Sequence, residues 1–84
     1  MNVRDFKRLA WRCIKAYIAD EGYEALMDDA TVEMTGTQWH LLLAWLDVAR
    51  DTLNSDPVKI AGANPVPLIR AEINRRAGGV NRYL

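Results

Sequence analysis

The chain has 84 residues, half of them apolar, and its 11 basic and 11 acidic side chains give a formal net charge of zero. This composition is that of a globular protein, and it argues against a protein that coats nucleic acid or an anionic membrane through charge alone. The length predicts one domain over residues 1–84. Cys13 is the single cysteine, so it cannot form an intrachain disulfide, and no apolar run is long enough to span a membrane. We therefore expect a cytoplasmic protein that makes no use of a membrane.

The first predicted helix covers about residues 3–19. Asn2 is a favourable N-cap and Asp5 follows it at the spacing of a reciprocal cap. Gly22 indicates where the helix stops. Apolar side chains recur with helical periodicity and predict the buried face: Phe6, Leu9, Ala10, Cys13, Ile14, Tyr17 and Ile18.

A short helix is predicted from Tyr23 to about Ala30. Tyr23, Leu26, Met27 and Ala30 have helical spacing. Residues 31–34 carry no signal that decides between a turn and a short extended segment.

The strongest helix signal covers about residues 36–54. Thr35 and Gln38 have the spacing of a capping box, and an apolar run follows immediately. Its apolar residues occupy more than half of the helix circumference, so we expect the helix to be central in the domain or to share a face with another chain. The second of its two apolar stripes consists of Leu41, Trp45 and Val48.

The last main helix is predicted over about residues 65–77, after a one-turn helix at Pro57–Ala61. Asp56-Pro57 and Asn64-Pro65 are both helix starts, because proline in a first helical position loses no needed hydrogen bond. The fold class is therefore all-α. We expect a small bundle of three main helices, about 3–19, 36–54 and 65–77, with one or two short helices between them.

The zero net charge conceals three blocks of opposite sign. Residues 1–19 hold five basic side chains against Asp5, a net +4; residues 20–56 hold nine acids against Arg50, a net −8; and residues 59–84 hold five basic side chains against Glu72, a net +4. One interpretation is that acidic and basic helices pack side by side and screen each other, or that the acidic block is a solvated face. Another is head-to-tail self-association of oppositely charged blocks.

A third interpretation makes the acidic block a docking surface for a basic surface on another protein, such as a nucleic-acid-binding groove. Complementary charge speeds encounter and selects partners, while apolar anchors hold a complex together. Trp11 is a candidate anchor because Lys7 and Lys15 flank it at four residues on either side. The predicted partner-binding side chains are Glu24, Asp28, Asp29, Glu33 and Trp11.

Nothing in the sequence predicts catalysis, a metal or a cofactor. His40 shares a helix face with Asp47 and Asp51, but seven and eleven residues away rather than the three or four of a helical metal pair. Cys13 lies on the apolar face of the first helix, where a thiol acts as a small hydrophobe. No glycine-rich phosphate loop is present.

Three functions remain open on these grounds. The first is a non-enzymatic protein-binding module, an adaptor or inhibitor of a larger protein or nucleoprotein complex of the phage or mobile-element accessory type, an expectation from size and lack of motifs. The second is a DNA-binding regulator with a loose helix-turn-helix that presents Arg70, Asn74 and Arg75. The third is a self-assembling subunit that associates through Leu41, Trp45 and Val48.

Overall fold

A computed structural model describes residues 1–55 and 64–77, and within these ranges the chain contains helices and no strand. This confirms the predicted all-α class. The one-turn helix predicted at Pro57–Ala61 lies outside the described residues. The helices are α1 (Val3–Ala19), α2 (Tyr23–Glu33), α3 (Gly36–Ser55) and α4 (Val66–Ala77).

The chain divides into two compact units, residues 1–43 and residues 44–84, with the boundary inside α3. In the first unit α1 packs against α2. The second unit contains the remainder of α3 and α4. A single domain over residues 1–84 stays a prediction.

The buried face of α1 anchors the first unit. Phe6, Ala10, Cys13 and Ile14 are all completely buried, as the apolar periodicity predicts. The Asn2 side chain accepts a hydrogen bond from the Asp5 amide at 2.8 Å, which confirms the predicted N-cap.

The turn between α1 and α2 differs from the prediction that Gly22 stops the first helix. Asp20 ends α1 in the left-handed region, with φ 56°, and its amide donates to the carbonyls of Ala16 and Tyr17. Gly22, at φ 67°, instead precedes the first turn of α2. The left-handed residue that closes α1 is therefore an aspartate, which has the Cβ atom that makes this conformation costly.

The second helix is longer than predicted, because residues 31–33, left undecided by the sequence, continue it. Met34 is buried and its amide donates to the carbonyl of Ala30, which is also buried four residues earlier. We attribute the extension of α2 as far as Glu33 to the burial of Met34, which follows its last residue. At 11 residues against 12 for α4, α2 is not a short connecting helix, which corrects the prediction of three main helices.

Gln38 connects the start of α3 to residue 1. The side-chain oxygen of Gln38 accepts a hydrogen bond from the Thr35 backbone amide at 3.1 Å. The backbone amide of Gln38 donates to the Thr35 hydroxyl oxygen at 3.2 Å, which confirms the predicted capping box. Its side-chain nitrogen also donates to the backbone oxygen of Met1 at 2.8 Å. Gln38 is only 7% exposed, so these hydrogen bonds satisfy a polar group that burial would otherwise penalise.

In the second unit the buried side chains come from one face of α3 and one of α4. Ile69 and Ile73 of α4 are buried. The Asn64 side chain accepts from the Val66 amide at 3.1 Å and caps the helix. On α3 the buried residues of this unit are Trp45, Leu46 and Ala49.

Replacing Gln38 by alanine should destabilise the protein more than replacing Thr35 by alanine. Thr35→Ala removes one capping hydrogen bond, a loss of about 1 kcal/mol. Gln38→Ala removes the reciprocal bond and the bond to Met1, and leaves a cavity, which should cost about 1–3 kcal/mol. Urea denaturation of the two variants checks the order. Equal losses would mean that the bond to Met1 does not contribute to stability.

Replacing Asp20 by glycine should stabilise the protein by about 1 kcal/mol. Glycine adopts positive φ without a Cβ penalty, and the change removes a negative charge from the C-terminal end of a helix dipole. Asp20→Ala is the control, because it removes the charge and keeps the Cβ atom. Thermal unfolding should rank glycine above alanine; the reverse order would show that the left-handed backbone at residue 20 stores no free energy.

Candidate interaction surfaces

The four predicted partner-binding acids of α2 divide between two surfaces. Glu24 and Asp28 are exposed, and Val32 follows four residues after Asp28 with 85% of its surface exposed. We call these three residues the outer acidic face. Asp29 and Glu33, also four residues apart, line a cleft together with residues of α1. Two of the four acids therefore line the cleft, and the other two do not.

The cleft has a volume of about 240 Å³ and lies within the first unit. We call it the α1–α2 cleft. Asp29 and Glu33 of α2 form one wall, which is acidic. Arg8 and Arg12 of α1 lie four residues apart and form the opposite, largely basic wall. The complete lining is Met1, Asp5, Arg8, Leu9, Arg12, Asp29 and Glu33.

The charges in this cleft are close to balanced, with three carboxylates and two guanidinium groups. Over residues 1–55 and 64–77, none of the five charged side chains is within ion-pair distance of an opposite charge. The sequence did not predict this pairing of walls residue by residue. The sequence does show that Arg8 and Arg12, and likewise Asp29 and Glu33, are four residues apart. Only the contact between α1 and α2 brings the two pairs to the same cleft.

Trp11, the predicted interface anchor, is partly buried on α1 and is not part of the lining of the cleft. The structure therefore does not bring Trp11 together with Asp29 and Glu33 at this site. Its role as an anchor stays a prediction.

Cys13 has the environment expected of an inert thiol. It is completely buried, and burial raises its pKa, with the nearby Asp29 carboxylate adding to the rise and Arg12 opposing it. A thiol that is inaccessible and harder to ionise is a poor nucleophile.

His40, Asp47 and Asp51 all lie on the exposed side of α3. Asp47 is 3.3 Å from the Arg50 guanidinium group. In the part of the chain that the structure describes, no three His, Cys, Asp or Glu side chains gather into a group that could hold a metal ion. None of the described helices is both long and apolar enough to cross a membrane.

The alternative basic face on α4 is exposed but partly neutralised. Arg70, Asn74 and Arg75 are all exposed. Arg75 donates two hydrogen bonds to Glu72, the shorter at 2.6 Å. Arg76 contacts the same carboxylate at 3.1 Å and also reaches Asp51 of α3 at 3.3 Å. The α4 helix therefore presents a mixed surface in which Arg75 already has an anionic partner.

The predicted self-association stripe is not an open surface as a whole. Trp45 is only 2% exposed, and Leu41 and Val48 are partly buried. Trp45 is therefore covered within the chain, and association through the stripe stays a prediction. Any contribution of the stripe to association would have to come from Leu41 and Val48.

Comparison with known proteins gives no match to a family model, a curated protein or a solved structure. The function must therefore be argued from the surfaces described above.

The ion pairs of Glu72 with Arg75 and Arg76 predict how the stability of the protein changes in acid. The pKa of Glu72 is lowered chiefly by hydrogen bonding from Arg75, which desolvation opposes, and further by the charge of Arg75 and by the hydrogen bond and charge of Arg76. A carboxylate with a lowered folded-state pKa contributes stability above its unfolded pKa, and that contribution is lost as the pH falls through the folded pKa. We expect Glu72→Gln to reduce stability at neutral pH and to flatten its decline in acid. Urea denaturation at a series of pH values measures the free energy of unfolding of both proteins. If that free energy fell equally steeply in acid for the wild-type chain and for Glu72→Gln, the prediction would be wrong.

Proposed function

We propose that this chain is a non-enzymatic protein-binding module whose outer acidic face docks on a basic surface of a larger cytoplasmic protein or nucleoprotein complex. In that role it acts as an adaptor or inhibitor, of the kind common among small phage and mobile-element accessory proteins. The observation that carries the proposal is the combination on α2 of two exposed acids with an almost fully exposed Val32.

The spacing of the three side chains favours recognition by another protein. Glu24, Asp28 and Val32 follow each other at intervals of four residues, so they lie along one face of α2. Like charges four residues apart cost a few tenths of a kcal/mol in an isolated helix, and no ion pair with a described residue offsets this for Glu24 or Asp28. A basic partner surface would turn this repulsion into attraction.

Val32 adds the apolar contact that charge alone does not provide. Acidic side chains mainly accelerate encounter and select a positively charged partner, while buried apolar contacts slow dissociation. An exposed β-branched residue beside two acids can supply both effects on a single helix face. Single exposed apolar residues are common on protein surfaces, so it is the alignment of Val32 with Glu24 and Asp28 that supports the proposal.

The DNA-binding alternative stays a prediction and has less support. Phosphate recognition needs basic side chains that exchange counterions for phosphates. Arg75 is engaged by Glu72, and Arg76 by Glu72 and Asp51, so two of the arginines of α4 would have to leave carboxylates to contact DNA.

Charge reversal on the outer acidic face should abolish partner capture. The tagged wild-type chain, a Glu24→Lys/Asp28→Lys variant and a Val32→Ala variant are used to capture partners from a native-host lysate, in parallel with and without nuclease. We expect a stoichiometric protein on the wild-type chain, its loss from the charge-reversed variant, and weaker but not abolished capture by Val32→Ala.

The control is Asp47→Lys/Asp51→Lys, which makes the same change of net charge at two exposed acids of α3. Because it also removes their contacts with Arg50 and Arg76, circular dichroism establishes that this variant is folded. It should capture the same protein as the wild-type chain. Equal loss in both double variants would indicate a non-specific dependence on net charge and would contradict the proposal. Recovery of nucleic acid alone, removed by nuclease, would favour the regulator instead.

A further inference from the structure

The α1–α2 cleft carries two parallel walls of opposite charge. Arg8 and Arg12 stand on α1, and Asp29 and Glu33 stand on α2, each pair spaced by one helical turn. All four side chains are exposed, and Leu9 between the walls is partly buried. A surface with this pattern is complementary to its own copy: a two-fold axis along the cleft places each basic wall on the acidic wall of the other copy.

We propose that the α1–α2 cleft is a self-complementary interface through which two copies of this chain form a symmetric, salt-sensitive dimer. The occupant of the cleft is a second copy. Arg8 and Arg12 of each copy face the acidic wall of the other copy, so the same contacts form on both sides of the two-fold axis. Leu9 supplies an apolar contact between the two charged rows. The proposal does not depend on the outer acidic face, because Glu24, Asp28 and Val32 do not line the cleft.

Two observations favour a second copy over a small ligand. The cleft volume of about 240 Å³ is below the roughly 300–1,000 Å³ of sites that enclose small molecules. The four wall charges have no ion-pair partner among the described residues, although opposite charges line the same cleft. A second copy satisfies both walls at once, which a partner with a purely basic surface would not do because Arg8 and Arg12 would repel it.

The first test is the mass of the wild-type chain by analytical ultracentrifugation over a range of concentrations and salt. The Debye length falls from about 30 Å at 0.01 M salt to about 3 Å at 1 M, so a dimer held by exposed charges should dissociate. We expect a dimer at low salt and a dissociation constant at least about tenfold weaker at high salt. A monomer at every low-salt concentration, or a dimer insensitive to salt, would overturn the proposal.

The second test uses two charge-swapped variants. Arg8→Glu/Arg12→Glu makes both walls acidic, and Asp29→Arg/Glu33→Arg makes both walls basic. Each variant alone should be monomeric because like walls repel, while an equimolar mixture should form a heterodimer because every wall then meets its opposite. Circular dichroism establishes that each variant is folded before mixing, and the wild-type salt series remains decisive if either is not.

Association in the mixture identifies this cleft as the interface. A wild-type dimer combined with no association in the mixture would place the dimer contact elsewhere and reject the proposal. Capture of a different protein by the outer acidic face would be unaffected, so failure of the dimer and failure of the proposed function have separate signatures.

Discussion

Complete burial of Phe6, Ala10, Cys13 and Ile14 fixes the rotation of α1 about its own axis. A turn of α1 in either direction would expose some of these side chains and replace them with charged ones, at a cost of about 1.5–3 kcal/mol for each large apolar side chain exposed. Because the rotation is fixed, the edge that carries Arg8 and Arg12 is fixed as well. The positions of the charges on the first unit therefore follow from its apolar contacts.

The contact between α1 and α2 then determines what the acidic block can do. Asp29 and Glu33 line the cleft together with the two arginines, whereas Glu24, Asp28 and Val32 are exposed and do not line it. One pair of acids therefore shares a cleft with positive charge, without forming an ion pair among the described residues, and the other pair does not. The two proposed interactions use these separate pairs, so one helix can contact both a second copy and a different protein.

The sequence predicts the helices better than the surfaces. Caps at Asn2 and Thr35 set the starts of α1 and α3 through local hydrogen bonds, so sequence spacing is enough to locate them. The end of α2 depends on the burial of Met34, a tertiary effect that periodicity over a few residues does not reveal. Which acids line the cleft and whether Trp45 is buried likewise depend on which helices meet, so grouping the acids by sequence proximity did not separate Asp29 and Glu33 from Glu24 and Asp28.

The most direct test of the central claim is a map of partner binding at single residues. Backbone amide shifts of the isotope-labelled chain would be recorded by NMR during titration with the partner protein obtained by capture. Binding through the outer acidic face predicts that the largest changes fall on Glu24, Asp28 and Val32, with little change on α4. Changes concentrated on Arg70, Asn74 and Arg75 would contradict the account and transfer the binding site to α4.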